Sequence, residues 1–138
     1  MSERRKLDDV AYLIIASWLL GAQATRIPTS GGVLDRALYM SRDSLPPWAR
    51  EQLHFSDLRA GLRCPELPRI LDFAQDALLT VAPNPTYHYT DIQVSEWNAL
   101  DLLRELEVPP EEAKRIGETL KREAESAMSR RIEDDSLV

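Results

Sequence analysis

Residues 10–22, VAYLIIASWLLGA, carry no charged side chain, and a chain that contains such a run must find somewhere to hide it. The run is too short to cross a bilayer, which takes about 20 apolar residues. Arg4, Arg5 and Lys6 before it, and the small-x-small order Ala22-Gln23-Ala24 after it, are also what a signal-peptide core would show. Asp8 and Asp9 stand directly in front of the run and cancel the basic cluster. The pattern therefore predicts a helix buried on most faces, with Asp8 or Asp9 capping its positive end. A helix this apolar in a small domain further predicts a dimer interface, with Leu13 and Trp18 facing a second copy.

A length of 138 residues matches one domain, and 43% hydrophobic with 29% charged residues is an ordinary globular mix, so no staple is needed. The single cysteine, Cys64, rules out an intramolecular disulfide and a cysteine-based metal site. It favours a reducing compartment, and the expected location is cytoplasmic. The net charge of -6 works against non-specific nucleic-acid binding, which runs on phosphate neutralisation, although local patches matter more than the total.

Along the chain, residues 25–32 read as a loop, and Val33, Leu34, Ala37, Leu38 and Met40 as the apolar face of a short helix. Pro46 and Pro47 open another helix, which carries Trp48. Residues 56–62 read as a helical segment with Leu58 and Leu62 on one face, broken at Pro65. Leu67, Ile70, Leu71, Ala74 and Leu78 continue with a helical period. Residues 79–94 predict a β-hairpin turning at Pro83-Asn84-Pro85, because aromatic and β-branched residues alternate beyond the turn. Ser95 caps a helix whose expected stripe is Trp97, Leu100, Leu103 and Leu106. A last, charged helix carries a narrow stripe of Ala113, Ile116, Leu120, Ala124 and Ala127 or Met128. Its Ile116 and Leu120 are the expected second half of the dimer interface. Residues 132–138 read as a frayed acidic tail.

The succession helix, turn, helix, hairpin, helix over residues 45–103 resembles a winged helix-turn-helix. Phe55, Leu58 and Leu62 match the "F-x-x-L-x-x-x-L" spacing seen in the first helix of that motif. The resemblance implies that residues 66–78 form the recognition helix and that the hairpin forms the wing. It implies DNA contacts from Arg63 and Arg69, which flank the start of that helix, and a backbone contact from Arg59. The wing holds His88 and no Lys or Arg, and Glu66, Asp72 and Asp76 put negative charge near the presenting helix. Winged helices also serve as protein-binding modules.

Nothing points to catalysis. His54 and His88 are far apart, and neither sits in a metal-ligand spacing. There is no Gly-rich phosphate loop and no G-x-S-x-G element. Asp91 and His88 are three apart on a strand, which puts them on opposite faces. Cys64 reads as a small buried hydrophobe rather than a nucleophile.

The expected architecture is mainly α, an α+β single domain over residues 1–138. It comprises N-terminal helices (8–44), a winged-helix-like core with one β-hairpin (45–107), a C-terminal helix (108–131) and the acidic tail. The expected function is transcriptional regulation by a DNA-binding homodimer, with no cofactor, metal, membrane partner or enzymatic activity. The alternative is a protein-interaction module, an adaptor or accessory subunit, touching its partner through Tyr87, Tyr89 and Trp97. A helical bundle without a wing is the third reading.

Overall fold

The computed structural model describes residues 6–29, 32–58, 61–81 and 89–136. Its spine is α1 (Leu7–Ser17), buried at Val10, Ala11 and every position from Leu13 to Ser17. A helix apolar all round has to be enclosed all round, and α4, α5 and α6 pack around it. Asp8 and Asp9 occupy its first turn, where the Asp9 carboxylate accepts the Lys6 N–H at 3.1 Å. The helix then widens into a π-helical turn, Trp18–Ala22, and ends where Gln23 takes a left-handed conformation. Among the described residues, no helix is long and apolar enough to cross a membrane.

The enclosure is completed by α6 (Pro110–Ser136), which lies against the π-helical turn and against α2 (Val33–Ser41). Its buried stripe is Ala113, Ile116, Leu120, Ala124 and Ala127, while Met128 faces outward. Small residues let the two backbones approach closely. The helix runs past the expected end at residue 131 because no Gly or Pro follows Gly117, and each added residue gains one hydrogen bond.

The four residues of the expected dimer interface lie within this packing. Leu13, Trp18, Ile116 and Leu120 are all buried inside one chain. The apolar first helix finds its partner in the last helix of the same molecule, and these four side chains present no surface to a second copy.

Short helices and strands close the remaining sides. After α2 come one 3₁₀ turn, Arg42–Ser44, and α3 (Pro47–Arg50), with Pro47 in its first turn. Of residues 56–62, expected as a helix, the described ones instead belong to an antiparallel pair, β2 (Ser56–Leu58) with β3 (Gly61–Arg63). Gly61 at φ 108° supplies backbone that a helix has no use for, ahead of the break at Pro65.

The expected hairpin over 79–94 is present at its base. Thr80 bridges Ile92 antiparallel, and the Val81 N–H donates to the Asp91 carbonyl at 3.0 Å. Its tip, including Tyr87 and His88, lies outside the described residues. The full strand partner of β4 (Tyr89–Asp91) is β1 (Arg26–Pro28), in the register Arg26–Asp91, Ile27–Thr90 and Pro28–Tyr89. Strand β1 falls in what reads from sequence as loop.

Helices α4 (Leu67–Asp76) and α5 (Glu96–Glu105) flank that base. Pro68 sits in the first turn of α4, and Ser95 Oγ caps α5 by accepting the Asn98 N–H at 3.2 Å. The stripe α5 buries is Ala99, Leu103 and Leu106. Trp97 lies off that stripe, and so does Leu78 relative to Leu67, Ile70 and Ala74 on α4.

Candidate functional site

Two large apolar side chains stand out of this surface, Trp97 at 76% exposure and Leu78 at 72%. Leu78 lines a groove of about 550 Å³, and Trp97 directly precedes Asn98, the first α5 residue in its lining. Its floor is Leu79, Val94 and Leu102, and its walls carry Gln93 and Asn98. Asp101 and Glu105 complete the α5 side. Trp97 stands one helical turn before Asp101, which puts both on the same face of α5.

The backbone explains why Leu78 is displayed. Helix α4 ends in a doubly bonded cap, in which the Leu79 N–H reaches back to Ala74 O at 2.9 Å and the Leu78 N–H donates to Gln75 O at 3.0 Å. Such a cap needs a left-handed residue just before the Leu79 donor, a place usually taken by glycine. Here Leu78 takes it, at φ 63°. The left-handed turn swings its side chain off the buried face of α4, and the Gln93 side-chain amide locks the turn by donating to Leu78 O at 2.7 Å. The helical period at 67–78 therefore misplaces Leu78, and nothing in the local pattern signals the cap.

The arginines expected at a DNA surface are scattered in their roles. Arg59 lies outside the described residues. Arg63 is half-buried, and its Nη1 donates to its own Leu62 carbonyl at 3.0 Å and packs against Gly32. Arg69 is exposed in the first turns of α4, with its guanidinium 5.8 Å from the Phe73 ring. Of the expected partner-binding aromatics, Trp97 is on the surface. Tyr89 is half-buried under the Arg26 guanidinium, 4.1 Å from its ring centre, and Arg26 also pairs with Asp91 at 3.1 Å. Tyr87 lies outside the described residues.

A second polar cluster joins α2 to the start of α4. The Asp35 carboxylate, itself buried, accepts the Cys64 N–H at 2.7 Å. Glu66 accepts the His54 N–H at 2.7 Å and faces its Nδ1 at 3.1 Å, and the Cys64 thiol points at Glu66 Oε1 from 3.6 Å. Burial alone would raise the Glu66 carboxyl, but the His54 N–H, the His54 ring and the Cys64 thiol outweigh it and hold the group below its ordinary value. Burial pushes the Cys64 thiol up to about 12, against the helping backbone bond and with the negative charges of Glu66 and Asp35 adding to the rise. A thiol held protonated in this way is a poor nucleophile, so the cluster is a structural tie. Among the described residues, no group of three or more His, Cys, Asp and Glu is placed to hold a metal ion.

No protein-family model, curated protein or solved structure matches this chain.

Proposed function

We propose that this chain is a protein-interaction module, an adaptor or accessory subunit, that docks a partner in the groove between α4 and α5. The observation that carries this reading is the exposure of Leu78 in the lining of an open groove, with the exposed Trp97 on α5 one residue before Asn98 of the same lining. Aromatic anchors beside a pocket supply most of the energy of protein interfaces. Leu78 adds a second argument: a bulky residue in the left-handed region costs about 1–2 kcal/mol, and at this position the strain wins no burial. Strain kept on a surface marks positions that do something other than stabilise the fold.

The DNA-binding reading finds less support. A recognition helix is set in the groove by a helix that crosses the backbone ahead of it, and the β2–β3 pair occupies that position. Arg63 is committed to its own backbone, and α4 carries Asp72 and Asp76 along with Arg69.

The test is site-specific photocrosslinking in cells, with the crosslinker at position 97 and, as a control, at Met40, which is also exposed but lies on α2. A discrete adduct from position 97 alone is expected, with its partner identified and shown to bind the purified chain. Equal, diffuse labelling from both positions would remove the groove as a docking face. Anisotropy with DNA from upstream of the gene tests the rival: submicromolar binding that survives competitor DNA and is lost on changing Arg63 and Arg69 to Ala would favour a regulator.

A further inference from the structure

The groove has a sign as well as a shape. Among the described residues, the charged side chains that line it are Asp101 and Glu105, with no Lys or Arg. Helix α4 adds to this field, because its C-terminal turn, Ala77 to Leu79, forms the opposite wall. The last carbonyls of a helix carry the negative end of its dipole, and Asp76 closes the same end of α4. Arg104 meets Asp101 at 3.5 Å in an exposed contact. Such a pair is weak and readily exchanged for another cation.

We infer that the occupant of this groove is a basic amphipathic segment of a partner protein, with apolar anchors against Leu78, Leu79, Leu102 and Trp97 and with Lys or Arg side chains reaching Asp101 and Glu105. This rests on the docking reading above and adds the chemistry of the partner to it. A second copy of this chain fits poorly. In a two-fold contact the same patch meets itself, so Asp101 and Glu105 would oppose their own images, and like charges brought together are strongly disfavoured.

Two fluorescein-labelled amphipathic peptides test it against the full chain. Both are about 14 residues long, roughly four helical turns, with Leu at the same positions; one carries Lys at every polar position and the other Glu. The Leu/Lys peptide is expected to bind, and changing Trp97 to Ala should weaken it by about tenfold or more. Asp101→Asn with Glu105→Gln should weaken it by about threefold or more and flatten its salt dependence. Glu111→Gln with Glu118→Gln, which removes the same charge from an exposed stretch of α6, should leave it unchanged.

Three outcomes overturn the inference. If both peptides bind equally well and both depend on Trp97, the groove is a docking site without charge selection, so the proposed function stands and this addition to it falls. If the α6 variant loses as much as the Asp101/Glu105 variant, attraction is to the net charge and not to the groove. If neither peptide binds, the occupant is of another chemistry, and the crosslink from position 97 decides separately whether the groove docks a protein at all.

Discussion

Gly21 and Gly117 meet backbone to backbone where the π-helical turn crosses α6. A β-carbon built on Gly117 would lie 2.9 Å from the Gly21 Cα and would collide with the Ser17 carbonyl; one built on Gly21 would lie 2.8 Å from the Gly117 Cα and would collide with the Lys114 carbonyl. All of these neighbours are main-chain atoms in helices, so none can rotate away. The first helix is enclosed by the last only because both glycines are bare.

Gly117→Ala should therefore destabilise the fold, even though alanine is the better helix former. Overpacking typically costs about 1–3 kcal/mol, and the backbone-to-backbone contact places this site at the upper end. Urea unfolding followed by circular dichroism reads the effect. A variant as stable as the parent would mean that the two helices do not cross this closely.

Leu78→Gly separates stability from docking. Removing the β-carbon relieves the left-handed strain, so the thermal midpoint should rise, by an amount corresponding to about 1 kcal/mol or less. The same change removes a wall of the groove and should weaken the crosslink from position 97. A variant that is less stable than the parent would show that Leu78 packs against something essential.

Cys64 should resist alkylation in the folded protein at pH 8 and react fully in urea, because a buried thiol pushed up to about 12 offers almost no thiolate. The linkage has a definite sign. Above the unfolded cysteine value of about 8.5 the unfolded chain loses this proton and the native chain keeps it, so stability falls as pH rises. The slope reaches at most about 1.4 kcal/mol per pH unit. Cys64→Ala should remove that part of the alkaline slope, and an unchanged slope would place the titration elsewhere.

Glu66 works in the opposite direction. Its carboxyl is depressed in the folded state, so it contributes stability above the ordinary carboxylate value and loses that contribution as pH falls through the lower folded value. Glu66→Gln should lower stability at neutral pH and have less effect under acid conditions. Urea midpoints at neutral and at acid pH check this, and a loss that is the same at both would assign Glu66 a purely steric role.

The sequence by itself determined the elements whose signal is local and strong. The uncharged run at 10–22 predicted a helix buried on most faces, and most of its residues are buried. The α6 stripe from Ala113 to Ala127, the Ser95 cap and the antiparallel base of the hairpin follow from spacing and side-chain chemistry within a few residues. Tertiary structure decided the rest. Whether the apolar helix meets a second copy or its own chain depends on where residue 117 arrives relative to residue 21, and no local pattern encodes a distance across the chain. The pairing of β1 with β4 is a long-range contact that lends Arg26–Pro28 an extended form its own residues do not demand. Residues 56–63 hold apolar positions at a spacing compatible with a helix, and strand pairing overrode it. Leu78 and Trp97, the residues on which the functional reading rests, escape a periodicity argument for the same reason. Periodicity says which residues could share a face, whereas a helix cap and the packing of neighbouring elements decide which of them remains in water.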